Sequence, residues 1–190
     1  MLSDMEHTTN QPASLPMQPA SRQTSALLLS LMRYKLWADA DLINTVLAHP
    51  ALEAAPEGPY FAGIIRHYHT VDCIFRAHLL GIPREYSSTN PAEPATLPEL
   101  QQRVRAIDEW YEDYTRHLDE RDLAQPLQVR FTDGQQQVLT RSDILLYVSL
   151  HGAGHRGQVS LLLRKCGAEP PPDRFTNYLR QAPRGLEVSA

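Results

Sequence analysis

Apolar residues recur every three or four positions along four long stretches of the chain, the period of an amphipathic helix. From Thr24, the residues Leu28, Leu31, Met32, Leu36, Ile43 and Leu47 share one side of a helix, and Pro50 lies just past its end. A second pattern runs from about Tyr60 to Leu80. Its stripe is Ile64, Tyr68, Val71, Phe75 and Leu79, and Gly81 and Pro83 stop it. A third runs from about Pro98, a residue suited to a first helical turn, to Leu118. The fourth opens at a candidate N-cap, Thr140 or Ser142, and ends near Cys166-Gly167.

The connections differ in kind. "ALEAAPEGP" is a short linker, whereas "PREYSSTNPAEPATLP" is a long polar, proline-rich one of the sort that is functional or crosses a bundle end. In "PLQVRFTDGQQQVLT" the period changes to two: Leu127, Val129 and Phe131 alternate, Asp133-Gly134 offers a tight turn, and Val138 and Leu139 follow. After three prolines, "DRFTNYLRQA" reads as a short final helix. The fold class expected is all-α: a four-helix bundle with long connections, a small β-hairpin before the last long helix and a short C-terminal helix. Residues 1–22 have no periodicity and read as a disordered tail, which leaves 23–190 as the bundle domain. No internal repeat is visible.

Composition narrows the function more than the fold. The 190 residues are 42% hydrophobic and 21% charged, which fits one globular domain with a loose end. Net charge is −4, the only lysines are Lys35 and Lys165, and the arginines are scattered. That is not the basic stripe of a nucleic-acid binder. No apolar run approaches the ~20 residues of a membrane span, and no secretory signal pattern opens the chain. Cys73 and Cys166 are far apart in helical patterns and read as reduced core residues of a cytoplasmic protein.

The chemistry concentrates in "YVSLHGAGHRGQVSLLL", residues 147–163. At about 100° per residue, Val148, His151, His155, Val159, Leu162 and Cys166 fall within a sector of about 80°. The two histidines therefore interrupt a core-facing stripe. Spaced i, i+4, they present both imidazoles on adjacent turns, near enough to share one ion; the competing reading is a pair of buried neutral histidines hydrogen-bonded to neighbours. A protease of the HExxH kind does not fit, because Gly152 stands where the catalytic Glu belongs. Gly152 and Gly154 each weaken the helix by about 1 kcal/mol relative to Ala, so they are expected to give clearance beside the site. The second helix offers a third ligand from His67, His69 and His78. His67 lies at one edge of the stripe and is the candidate. His69 points almost oppositely and is expected in solvent, and His78 is about 16 Å along the helix from His67. His7, His49 and His117 read as solvated. Tyr147, Arg156 and Gln158 form a second tier: Gln158 is expected partly inward near His151, and Arg156 off the inner stripe, in a helix-to-helix ion pair or, as the alternative, binding substrate. Asp72 is expected in a structural salt bridge, and Trp37 and Trp110 in packing.

Four segments together resemble the DinB/YfiT-like superfamily: "LMRYKLWADADLI", "IIRHYHTVDCIFRAHLLG", "HGAGHRGQVSLLL" and "GAEPPPDRFTNYLR". The third, His-x-x-x-His-Arg-Gly-Gln, is the most specific, and the resemblance covers about Leu28 to Arg180. It implies a four-helix bundle, usually a homodimer, with three histidines holding one divalent metal ion: nickel, zinc, iron or manganese. Carried over by position, the metal ligands are His67, His151 and His155. Relatives transfer low-molecular-weight thiols such as bacillithiol or use mycothiol in isomerisation; others are described as metal-dependent hydrolases or damage-inducible proteins. The expectation for this chain is a metal-dependent enzyme acting on a small-molecule substrate. Thiol-S-transfer to an electrophile, with a low-molecular-weight thiol as cofactor, is preferred. Metal-dependent hydrolysis and a metal-stabilised binding role without catalysis are the alternatives.

Overall fold

A computed structural model describes residues 21–181. Most of the expected disordered tail, with His7, lies outside the described residues, although residues 21 and 22 are already helical. Four long helices dominate: α1 (Ser21–Leu47), α3 (Gly58–Leu80), α4 (Leu97–Arg116) and α6 (Arg141–Lys165). Short helices α2 (Ala51–Ala54) and α5 (Glu120–Leu123) sit in connections, the hairpin is β1 (Pro126–Arg130) with β2 (Gln136–Thr140), and α7 (Phe175–Gln181) ends the described chain. The expected fold class, a mainly helical bundle with one hairpin, is what the structure has.

Local chemistry sets the element ends. Thr96 and Thr140 each cap a helix through a reciprocal box, with Glu99 and Asp143 as the returning side chains. Gly81 closes α3 at φ 66°, in the left-handed region, where Ile82 N–H reaches back to the Ala77 carbonyl. The hairpin pairs Leu127 with Leu139 and Val129 with Gln137, and Gly134 turns at φ 90°.

In the bundle, α1 and α3 each pack against both α4 and α6, so α1 and α3 share one diagonal. One apolar cluster joins Leu28, Met32, Phe75, Tyr111 and Val148; it is closed at the hairpin end by Val129. A second joins Leu42, Phe61, Leu100, Val159 and Leu163. These memberships make α1 and α6 parallel and α3 and α4 antiparallel to them.

Between the clusters lies a layer of buried charge contributed by all four long helices. Lys35 Nζ is 2.9 Å from Asp39 and 2.8 Å from Asp72, and it also meets Asp108. Arg156 pairs with Asp39 at 2.9 Å and with Asp173, on the segment leading to α7, at 2.8 Å. The helix-to-helix ion pair expected of Arg156 is present. Its expected direction is corrected: Arg156 is 1% exposed, drawn inward by Asp39. Asp72 is in a structural ion pair, as expected.

His69 is a second correction. It is 5% exposed, with Nε2 3.5 Å from the Cys73 sulfur. That flank of α3 is not in water: Cys73, one turn on, belongs to a buried apolar cluster, on which Tyr86 from the long connection after α3 also packs. His49 and His117 are exposed as expected, each bonded to a backbone carbonyl one turn earlier.

Candidate metal centre

His67 comes from α3, and His151 and His155 from successive turns of α6. One ring nitrogen from each lies within 4.8 Å of the others, and they form the one such group of three or more metal-ligating side chains among the described residues. All three histidines are half-buried. His78 lies apart, with Nε2 3.2 Å from the Arg130 carbonyl oxygen.

The hydrogen bonds around the rings decide which nitrogens face each other. His67 Nδ1 is 3.1 Å from both the Thr89 carbonyl oxygen and Asn90 Oδ1. Both partners accept, so Nδ1 carries the proton and Nε2 keeps its lone pair. His155 Nδ1 meets Gln158 Oε1 at 2.9 Å, which fixes the same tautomer. Outer partners of this kind orient metal-ligating histidines. The long connection after α3 is thus a bracket: Thr89 and Asn90 hold His67, and Arg66 donates to the Glu93 carbonyl at 3.0 Å.

His151 and His155 approach through their Nε2 atoms, 3.1 Å apart. Metal–nitrogen bonds of about 2.1 Å meeting at tetrahedral or right angles would put two donors roughly 3.0–3.4 Å apart, so the pair is spaced for one ion. The His151 Nδ1 is buried without a hydrogen-bond partner. Burial, then the neighbouring His155 and His67, pushes His151 down to about 4, and burial also lowers His155. Both rings are therefore neutral at pH 7, the state that ligates metal. The donor set fits a borderline divalent ion.

Tyr147, one turn before His151, stacks on its ring with centroids 5.4 Å apart, and Phe75 packs behind Tyr147. On the other side a cleft of about 350 Å³ is lined by Tyr60, Ile64, Arg66, His67, Asn90, His155 and Gln158. Gln158 is exposed and belongs to His155, correcting the expected inward position near His151. The glycines also divide. A Cβ on Gly152 would lie 3.3 Å from Lys35 Cε and 3.5 Å from Arg156 Nη1, so clearance there serves the buried charge layer. A Cβ on Gly154 would meet nothing within 4 Å, so the clearance expected there is not needed inside the chain.

Sequence reasoning missed Lys35, Asp39 and Asp108. For the first two a faint signal was present: Leu28, Met32, Lys35, Asp39, Leu42 and Val46 continue one helical period through two charged positions.

The DinB family matches residues 25–186. This chain belongs to the DinB family. Protein DinB of Bacillus subtilis (strain 168) is 25% identical over 170 residues, covering 82% of this chain and 95% of that protein. No solved structure matches the chain significantly. Membership and the three-histidine group are compatible with a metal-binding protein. Among the described residues, no helix is long and apolar enough to cross a membrane.

Proposed function

We propose that His67, His151 and His155 bind one divalent ion, and that the loaded site transfers a low-molecular-weight thiol to a small electrophile. The observation that carries the metal reading is the convergence of nitrogens. Two Nε2 atoms stand 3.1 Å apart, and the Nδ1 protons of His67 and His155 are each claimed by an outer acceptor. A divalent ion held by three imidazoles would keep open positions and lower the pKa of a thiol or water that takes one of them.

The chain's own residues supply the rest. Asn90 and Gln158 hold two rings in the ligating tautomer, Tyr147 walls one side of the site, and the cleft beside Ile64 and Tyr60 admits a small molecule. Of nickel, zinc, iron and manganese, the first three suit imidazole donors, whereas manganese is better matched by oxygen donors. The preference for thiol transfer over hydrolysis rests on the family resemblance.

The test begins with metal analysis of protein purified from its native source without a nickel column, where one ion per chain is expected. Thiol conjugation to a small electrophile is then assayed with and without chelator, beside ester hydrolysis. Loss of conjugation in His155→Ala and on chelation supports the proposal. Equal activity in that variant would sink it, hydrolysis alone would move the assignment to a hydrolase, and a metal-raised melting temperature without turnover would leave a binding protein.

A further inference from the structure

A cleft runs between α1 and α4, on the other side of the bundle from the histidines of α3 and α6. Its inner part, about 210 Å³, is walled by Leu36, Ala40 and Ile43 of α1 and by Val104 of α4. These positions recur at helical spacing, so one row of each helix lines it. Ala40 is the small residue in its row, and it also lines the wider mouth of about 450 Å³ that Trp37 flanks. Gln101 and Asp108 stand at the two ends of the α4 row, ~10.5 Å apart along the helix.

Asp108 is the unusual lining residue. It is 1% exposed. One carboxylate oxygen meets Lys35, and the other has no hydrogen-bond partner among the described residues. A buried polar atom left without a partner is rare and costly. The charge count points the same way. The fully buried Asp39, Asp72 and Asp108 face only Lys35 and Arg156, and Arg156 is shared with Asp173. Burial raises Asp108 well above the usual carboxylate range, although Lys35 opposes it. The surroundings are short of positive charge. The mouth does not repel a cation: Arg33 is paired with Glu112 at 3.0 Å and Arg105 with Glu109 at 2.8 Å. Asp41, also at the mouth, has no ion-pair partner among the described residues.

We infer that this cleft binds a linear aliphatic amine, with its ammonium on the free Asp108 oxygen and its chain along Ala40 and Val104. An ammonium is a point charge that a single oxygen can serve. A guanidinium fork is best met by both oxygens, and Lys35 holds one of them. A metal ion fits less well, because the one group of three metal-ligating side chains among the described residues is His67, His151 and His155. The apolar walls take the methylene stem, and each buried carbon adds to binding. At the far end Gln101 donates to Asn44 Oδ1 at 2.6 Å, and the remaining amide groups of that pair can meet a hydroxyl or a second amine. None of these residues belongs to the histidine centre, so amine binding is independent of the metal.

Calorimetric titration of the full chain with pentylamine tests the site, with pentanol as the uncharged control. One pentylamine per chain should bind with a Kd below about 1 mM, and pentanol should bind about tenfold more weakly or worse. Ala40→Leu fills the cleft and leaves the charge layer alone. It should weaken pentylamine binding by about tenfold or more, with circular dichroism and zinc binding unchanged. Asp108→Asn, which keeps an acceptor for Lys35, should erase the preference for the amine over the alcohol. Amide NMR shifts caused by pentylamine in the unaltered chain should centre on Ala40 and Val104. An absence of binding at about 10 mM amine, or equal affinity for pentanol, would overturn the inference. So would unchanged affinity in Ala40→Leu, an unchanged preference in Asp108→Asn, or shifts centred away from α1 and α4.

Discussion

Lys35 on α1 reaches Asp72 on α3 at 2.8 Å, with both side chains at most 1% exposed. The same ammonium also holds Asp39 and Asp108, so one cation serves three carboxylates from three helices. Burial alone would lower the lysine, but Asp108, Asp39 and Asp72 together hold it well above its usual range. Removing it would strand uncompensated buried charge. Lys35→Met should therefore destabilise the chain by about 3–5 kcal/mol in urea unfolding. A loss under about 1 kcal/mol would show that the layer relaxes by protonation or hydration.

The same layer predicts an unusual pH dependence. Burial raises Asp72 from 3.8 to about 6, with the Lys35 charge opposing. A carboxyl raised on folding stabilises the protein fully below its unfolded value and loses that contribution as pH rises through the folded one. Stability should thus fall by about 3 kcal/mol from this group between roughly pH 4 and 6. Asp39 has the opposite sign. Burial raises it, but Lys35 and Arg156 outweigh that and bring it to about 2, so its contribution is lost only as pH falls through about 2. Asp108, also raised by burial, adds to this fall, whereas His69 and His151, both lowered to about 4 by burial, contribute the opposite slope. Asp72→Asn, which mimics the protonated form, should therefore remove only its own share, about 3 kcal/mol between about pH 4 and 6, from the slope measured in chemical denaturation. A slope unchanged in that variant would assign it elsewhere.

Gln158 has a single contact with the site, through His155 Nδ1. Gln158→Ala should weaken zinc binding by about 10–100-fold, the usual effect of removing an outer partner. Gln158→Glu, which restores an acceptor, should recover most of it. Competition with a chromogenic chelator measures both. Equal weakening in the two variants would mean that the amide has another role.

At Gly152, alanine should not bring its customary gain in helix stability. The added methyl would press on Lys35 Cε from 3.3 Å, and three carboxylates hold that side chain in place. We expect Gly152→Ala to lower stability by about 1–3 kcal/mol, the range for overpacking a core. A rise in melting temperature would show that Lys35 can move aside.

The four long helices and the hairpin were legible because each writes its period into the chain, and the ends at Gly81 and Thr140 carried their own signals. His67, His151 and His155 were named as a set by family resemblance, and helix geometry pointed the same way. His69 was misplaced because a wheel shows only which side is apolar. It does not show that the other side, with His69 and Cys73, is buried as well. The charge layer escaped for a related reason. A charged residue is ordinarily assigned to water, and only the partners brought by other helices make Lys35, Asp39 and Asp108 interior residues. Local pattern carries element identity, while the pairing of distant charges is a tertiary fact.

The attachment of α7 sets how the molecule breathes. None of its residues is buried, and it is held through aromatic contacts of Tyr34 with Phe175 and Tyr178 and through Asp173 just before it. Arg156 would keep Asp39 if Asp173 let go. Amide hydrogen exchange should accordingly pass through α7 at a low opening free energy, while α3 and α6 exchange only with the whole fold. On that expectation α7 would come away from α1 while the helices that carry the three imidazoles stay folded.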